Sequence, residues 1–402
     1  AAFSSTDDHI TTDYLSDDAS VFTPDSRLKK QNGTLTLATS LTHKLSSSAT
    51  FKAGITHKQL FYNYDLSAAQ DYVPSTYTHI VNSAGNTNFT EAYSQIKYQL
   101  SPSLLANVGL HIHHFGLNKE VSLESRAGLA WKISDKHSLS FGYGKHSQPE
   151  DLNVYMIEVG GVAVNKDLKI SEAHHFVLGY DWQLTDKLRF KVEGYFQYLW
   201  NIAGEEGTSY SLINLRRALY LNKKLVNNTE GRNYGIDLTL ERFLADNYYY
   251  LITGSVFTSK YKAGDNVWRN TRYNKGFVLN ALFGKEFYFA NNRKVLDVNA
   301  RVTVTGGERY SPILQSQSLA AKRVIFDESR AFSEQLRPLT YADLTVNYRI
   351  NHHKSSSVFS FQMKNVLGAP IYIDHNYNYQ TGQIELSKAT LVIPNISYKI
   401  EF

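Results

Sequence analysis

The side chains of this sequence best suited to chemistry recur at two-residue spacing. His111 and His113 stand at i, i+2, with His114 beside them. On an extended chain that spacing puts both imidazoles on one face. There they could hold a metal or haem iron, or simply line a wall. Glu124/Arg126 and Lys191/Glu193 repeat the spacing with opposite charges. Such pairs could serve as acid/base sets, but along one strand face they read more simply as a salt-bridged lining. His174/His175 and His352/His353 are adjacent pairs, read as solvated strand-end residues. Catalytic motifs are absent: there is no His-Glu-x-x-His, Gly-x-Ser-x-Gly, P-loop or EF-hand loop. Gly142-Tyr-Gly-Lys lies inside a strand-like run, so it is not a phosphate loop. Without cysteine there is neither disulfide nor thiolate chemistry. The expectation is a protein that is not an enzyme and that carries neither cofactor nor resident metal.

What positions these residues is a series of short turns, most of them built to one recipe, an aliphatic residue, a small polar one, then Asp, Asn or Pro. They fall at Leu45–Ser48, Leu100–Ser103, Ile133–Lys136, Leu184–Lys187, Leu244–Asn247, Phe289–Arg293 and Ile350–Lys354. Each joins two long runs of alternating apolar and polar residues, so each closes a β-hairpin. The opposite ends are joined by longer polar segments near 66–86, 148–171, 204–229, 262–270, 307–337 and 373–388. Short turns on one side and long loops on the other is the layout of an outer-membrane β-barrel.

The alternation is clearest from Leu188 to Trp200. Leu188, Phe190, Val192, Gly194, Phe196, Tyr198 and Trp200 share one face; Arg189, Lys191, Glu193, Tyr195, Gln197 and Leu199 share the other. Such a run, at about 3.3 Å per residue, is long enough to cross a bilayer at a steep tilt. The apolar set should meet lipid and the charged set a wet or plugged lumen. The reverse assignment would make a large soluble barrel or propeller, for which these strands are too long. Trp131 and Trp182 lie just before short turns, with Tyr198 and Trp200 at the opposite end of their strand. Amphipathic rings at both edges of an apolar band form an interfacial girdle.

About fifteen strands can be counted, from residue 30 to the C-terminus, in an all-β, transmembrane antiparallel barrel over residues 29–402. Residues 1–28, with Asp7, Asp8, Asp13, Asp17 and Asp18, read as an acidic extracellular loop. Aromatic residues make up 13% of the chain and proline only 8 positions, which favours strands. The net charge of +5 is small for this length and carries no nucleic-acid signature. The chain opens Ala1-Ala2-Phe3 without initiator Met or signal core, which reads as a processed start or part of a longer polypeptide. Between the strands, Tyr155, Tyr210, Arg216, Arg217, Trp268, Arg269 and Tyr310 could catch ligand at the mouth, since loops carry recognition on a rigid scaffold. Each could equally pack between loops. Gly54, Gly109, Gly128, Gly142, Gly144, Gly179, Gly235 and Gly284 fall on the polar face. A plug pressed on the wall would explain them, as would plain strand bending.

The last strand ends Ile396-Ser-Tyr398-Lys-Ile400-Glu-Phe402. An alternating strand with Tyr398, Ile400 and terminal Phe402 resembles the signal read by the barrel-assembly machinery. Further stretches are Leu168–Tyr180 continuing to Tyr195–Asn201, Asn233–Glu241, Arg269–Asn274 and Lys364-Asn-Val-Leu-Gly368. On these the chain resembles the C-terminal part of a TonB-dependent outer-membrane receptor, most like those of Bacteroidetes. The resemblance implies a barrel of roughly 22 strands around an N-terminal plug, and import of a siderophore, haem, cobalamin, glycan or peptide. Energy would come through the TonB complex. This sequence shows no TonB box and no plug-like region, so the plug and first strands are expected to be missing and the chain not to transport alone. The other readings left open are a passive porin-like channel and a soluble carbohydrate-binding β-protein.

Overall fold

The computed structural model describes residues 1–15, 22–69, 77–215 and 222–402. Seventeen strands form one sheet. In chain order they are β1 Ala2–Leu15, β2 Phe22–Lys44, β3 Ala49–Ala69, β4 Tyr77–Ser101, β5 Leu104–Phe115, β6 Glu120–Lys132, β7 His137–Gln148, β8 Ser171–Thr185 and β9 Leu188–Gly204. Then come β10 Val226–Ala245, β11 Tyr248–Lys262, β12 Trp268–Asn270, β13 Phe277–Phe289, β14 Lys294–Thr305, β15 Leu339–Asn351, β16 Ser356–Lys364 and β17 Ile393–Glu401. Each long strand pairs antiparallel with its neighbours in the chain, an up-and-down wall. The short β12 caps the lane of β13, both pairing with β11. Among the described residues no ladder joins β1 to β17.

All seven short turns connect successive strands of this wall. Two expectations change. Residues 2–15, read as an outer loop, form β1, which pairs along β2 from Ala2↔Thr36 to Thr12↔Ser26 and, past a register shift, from Asp13↔Pro24 to Leu15↔Phe22. Its Ser, Thr and Asp residues obscure the period, because this hairpin carries few apolar side chains; Asp17 and Asp18 lie outside the described residues. The barrel wall expected over residues 29–402 is interrupted at Asn365-Val-Leu-Gly368, where Asn365 and Gly368 take positive φ of 53° and 60°. The Asn365 side chain clamps the bend, bonding Ala369 N, Ala369 O and Leu391 O at 2.9, 2.9 and 3.1 Å. The chain then leaves the wall as a separate ribbon, Pro370–Asn378 against Gln383–Thr390.

The two faces differ as the alternation requires. Across β8 to β11 the outer face carries Leu178, Phe196, Tyr234, Ile236 and Val256, all exposed. Phe196 pairs with Tyr234 and Ile236 with Val256, so these residues form a continuous apolar band. A band of that extent calls for an apolar environment. The inner face is lined by ion pairs: Arg189 with Asp181 and Glu241, Lys191 with Glu193, Arg301 with Asp343, and Arg349 with Glu401.

The inward glycines have a local cause. A Cβ at Gly54 would stand 2.7 Å from the Tyr93 ring, and one at Gly235 would stand 2.7 Å from the Tyr195 hydroxyl. At Gly284 it would collide with the Tyr249 ring. Tyrosines on the next strand lie across these positions, so the wall itself fills them and no plug is needed to account for them. Of the eight only Gly142 faces open space, while a Cβ at Gly128 would meet the Phe141 carbonyl at an ordinary 3.8 Å. Gly284→Ala should therefore cost about 1–3 kcal/mol by overpacking, while Gly142→Ala should change stability by less than about 0.5 kcal/mol. Urea unfolding of the lipid-embedded barrel measures both.

Candidate functional site

The densest polar network lies on the inner face of β4, β5 and β6. Register puts Glu91 opposite His113 and Tyr93 opposite His111, and on the other side Glu124 opposite His111. His111 Nδ1 lies 3.2 Å from Glu124 Oε2 and 2.8 Å from His113 Nε2. Arg126 Nη2 donates to Glu124 Oε2 at 2.7 Å. Glu91 Oε1 lies 3.6 Å from His113 Nε2, while its other oxygen is held by Lys58 at 2.8 Å. The i, i+2 spacing thus brings His111 and His113 together, with Glu124 and Arg126 in the same cluster.

Glu124 is buried at 1% exposure because the wall forks beside it. The β6–β7 ladder stops at Arg126↔Gly144, and beyond that point β7 pairs only with β8. The Glu124 carboxylate fills the fork, accepting from Ser147 N at 2.6 Å and Ser147 Oγ at 2.9 Å. Ser122 donates to Glu172 at 2.8 Å in the same gap. Side chains replace the missing backbone bonds, which a buried amide requires.

An apolar cap covers this network. The segment after β7 turns inward through a short helix, α1 Leu152–Tyr155, whose Val154 and Tyr155 are fully buried with Met156 and Ile157. They pack on Phe89, Phe115, Leu28, Tyr64 and Val81. Tyr155 lies 5.2 Å from Phe115 and Phe89 lies edge-on to His113 at 5.3 Å. Beside the cap, Lys30, Lys58, Tyr64, Phe89, Phe115 and Asp151 line a concavity of about 400 Å³. Further round the wall Glu193, Tyr195, Gln197, Asn233, Asp237 and Tyr273 line another, of about 510 Å³.

The other expected contact residues are scattered. Tyr155 is a core residue, its hydroxyl accepting from Glu150 N at 3.2 Å, and burial pushes its pKa above the usual phenol range. It is sealed in the cap, with no exposed surface. Trp268 pairs with Lys262 on the outer face and stacks under Arg232 at 4.3 Å. It belongs with Tyr198 and Trp200 in a rim of rings and cations rather than in the mouth, since Arg232 also lies 6.0 Å from Tyr198. Arg269 points inward and is bound by Asp265 at 2.7 Å. Tyr210 packs against the cap with Lys223 5.1 Å over its ring. Tyr310 sits on a small ribbon, 4.7 Å from His375. Arg216 and Arg217 lie outside the described residues. Trp131 and Trp182 are exposed on the outer face beside short turns, and Tyr398, Ile400 and Phe402 are exposed at the end of β17. Glu91 and Ser147 were missed; register opposite His113 could have flagged the first, but the fork that recruits the second leaves no sequence trace.

A sequence model of the family described as "TonB dependent receptor-like, beta-barrel" matches residues 1–366, and the chain belongs to that family. The fold is shared with solved receptors. The ferric yersiniabactin uptake receptor of Yersinia pestis superposes with a TM-score of 0.65 at 12% identity, over 98% of this chain and 57% of that one. The ferric-catecholate import receptor Fiu of E. coli K12 gives 0.64 at 11%, over 95% and 56%. The ferripyoverdine receptor of Pseudomonas aeruginosa gives 0.63 at 12%, over 99% and 52%. The chain thus spans about half the length of these receptors. Among curated proteins none matches it.

The cap contains one titratable switch point. Burial raises the pKa of Glu150, helped by the charge of Asp151 and opposed by the bond from Ser171 Oγ at 3.0 Å. A carboxyl raised in the folded state favours the protonated native form. Its contribution is complete below the ordinary carboxylate pKa and is lost as pH rises through the elevated value. Hydrogen exchange of residues 149–157 should therefore speed up as pH rises from 4 to 8, after correction for intrinsic rates, and Glu150→Gln should flatten that dependence.

Proposed function

We propose that this chain is the barrel portion of an energy-coupled outer-membrane importer, a receptor and transporter rather than an enzyme. It would take up a scarce nutrient such as a siderophore, haem, cobalamin, a glycan or a peptide. The observation that carries the reading is the pairing of an exposed apolar outer face with an ion-paired, hollowed inner face, in a chain of this family. Lipid would meet Val256 and Phe196, and solute the wall around Glu193, Tyr195 and Asn233.

In this reading the short turns and the C-terminus face the periplasm. The long segments, with Asp13 near the far end of β1, face outward. The N-terminal plug, the TonB complex and the barrel-assembly machinery are the protein partners, the last reading Tyr398, Ile400 and Phe402. The long strands from β1 to β16, with β17, would be membrane wall, completed by the first strands of the whole receptor. Of the expected mouth residues, Tyr210, Arg269 and Tyr310 keep positions from which a ligand could be met, and Arg216 and Arg217 remain proposals from sequence. The stretches Leu168–Tyr180 and Asn233–Glu241 support placing the chain among receptors of the Bacteroidetes type.

Cells lacking the receptor and complemented with its full-length gene should regain uptake from a panel of haem, ferric siderophores and oligosaccharides. Collapse of the proton gradient should abolish that uptake. Uptake that survives collapse would instead fit a passive channel, and partition of the protein into water without detergent would discard the membrane reading.

A further inference from the structure

We infer that His111, His113 and Glu124 form a binding site for a divalent transition metal ion of borderline softness, such as Zn²⁺ or Cu²⁺, on the inner wall at the β6–β7 fork. The argument starts from proton counting. Ser147 Oγ donates its hydrogen to Glu124 Oε1 at 2.9 Å, so toward His113 Nδ1, 3.1 Å away, it can only accept. His113 in its neutral form therefore carries its proton on Nδ1 and turns a bare Nε2 lone pair into the cluster. That lone pair, His111 Nδ1 and Glu124 Oε2 converge, with the first two 2.8 Å apart and the last two 3.2 Å apart. His111 Nδ1 can offer one proton, and two acceptors compete for it. A cation satisfies all three at once.

The surroundings are those of a supported metal site. The ligand atoms lie within 4.8 Å of one another. A tetrahedral site with bonds near 2.0–2.1 Å places its donors roughly 3.3 Å apart, close to the 3.2 Å between His111 Nδ1 and Glu124 Oε2 and about half an ångström wider than the 2.8 Å between the two imidazoles, so a side-chain adjustment completes the site. Ser147 fixes the tautomer of His113 and the orientation of Glu124, the role an outer shell performs in such sites. Arg126 occupies one lone pair of Glu124 Oε2 and leaves the second. Glu91 Oε1, 3.6 Å from His113 Nε2, is placed to become a fourth donor. Two imidazoles and carboxylate oxygens select Zn²⁺ or Cu²⁺ over the harder Mg²⁺ and Ca²⁺. A bound ion would tie β5 to β6, and through Glu91 to β4, where the backbone ladder no longer holds the next strand. The site stands whatever nutrient the receptor carries.

The test uses the full receptor in detergent, stripped with chelator and titrated with Zn²⁺ or Cu²⁺ alone. The wild type should take up one high-affinity equivalent, and its Cu²⁺ spectrum in electron paramagnetic resonance should show coupling to two nitrogens. His111→Asn/His113→Asn should weaken Zn²⁺ binding at least tenfold, while His174→Asn/His175→Asn should leave it unchanged. Glu124 is avoided because it also holds the fork together. Tight binding that persists in His111→Asn/His113→Asn overturns the proposal, as does a wild type that binds no stoichiometric ion. Should the double variant fail to fold, the nitrogen coupling in the wild type decides alone, and its absence overturns the site.

Discussion

In a hydrocarbon layer no water is available to the peptide group, so every backbone N–H and C=O of the wall must find a partner within the protein. The up-and-down ladder meets that demand for the strands between β1 and β17, whose own outer edges no ladder joins among the described residues. It also fixes everything else, because a strand bonded on both sides can present side chains only to its two faces. One face is left apolar and exposed, as at Leu178, Ile236 and Val256, and the other holds the ion pairs and tyrosines.

The fork between β6 and β7 is where the rule is met differently. The ladder ends at Gly144, and a buried carboxylate takes the Ser147 amide in its place. Opening the wall there makes room for the inward turn of residues 149–157 and brings the polar cluster beneath an apolar cap. Such a place, partly held by side chains rather than by backbone, is where a wall can acquire a specific site.

Much of the architecture was legible because a two-residue period repeated over a dozen positions leaves little freedom of register. The turns, the outer face of β9, and the convergence of His111 with His113 all follow from it. The acidic β1 was not legible because Ser4, Thr6, Asp8 and Thr12 leave Ile10 as a lone large apolar residue on their face. Tyr155 stayed open between two readings because a polar-tipped ring between two strands looks the same in sequence whether it catches ligand or packs in a core. The direction of Trp268 was not legible because the short β12, which turns it outward, is recognisable only from its pairing with Lys262. The glycines were legible on the polar face but their cause stayed open between a plug and strand bending, since the tyrosines beside Gly54, Gly235 and Gly284 are visible only once register is known.

The assignment of the two faces bears most weight, and site-directed spin labels in the lipid-embedded receptor test it most directly. Labels at Val192 and Phe196 should be relaxed mainly by oxygen, which concentrates in acyl chains. Those at Lys191 and Glu193 should respond mainly to a water-soluble nickel chelate. The opposite pattern, with Val192 and Phe196 the wetter pair, would contradict the membrane barrel.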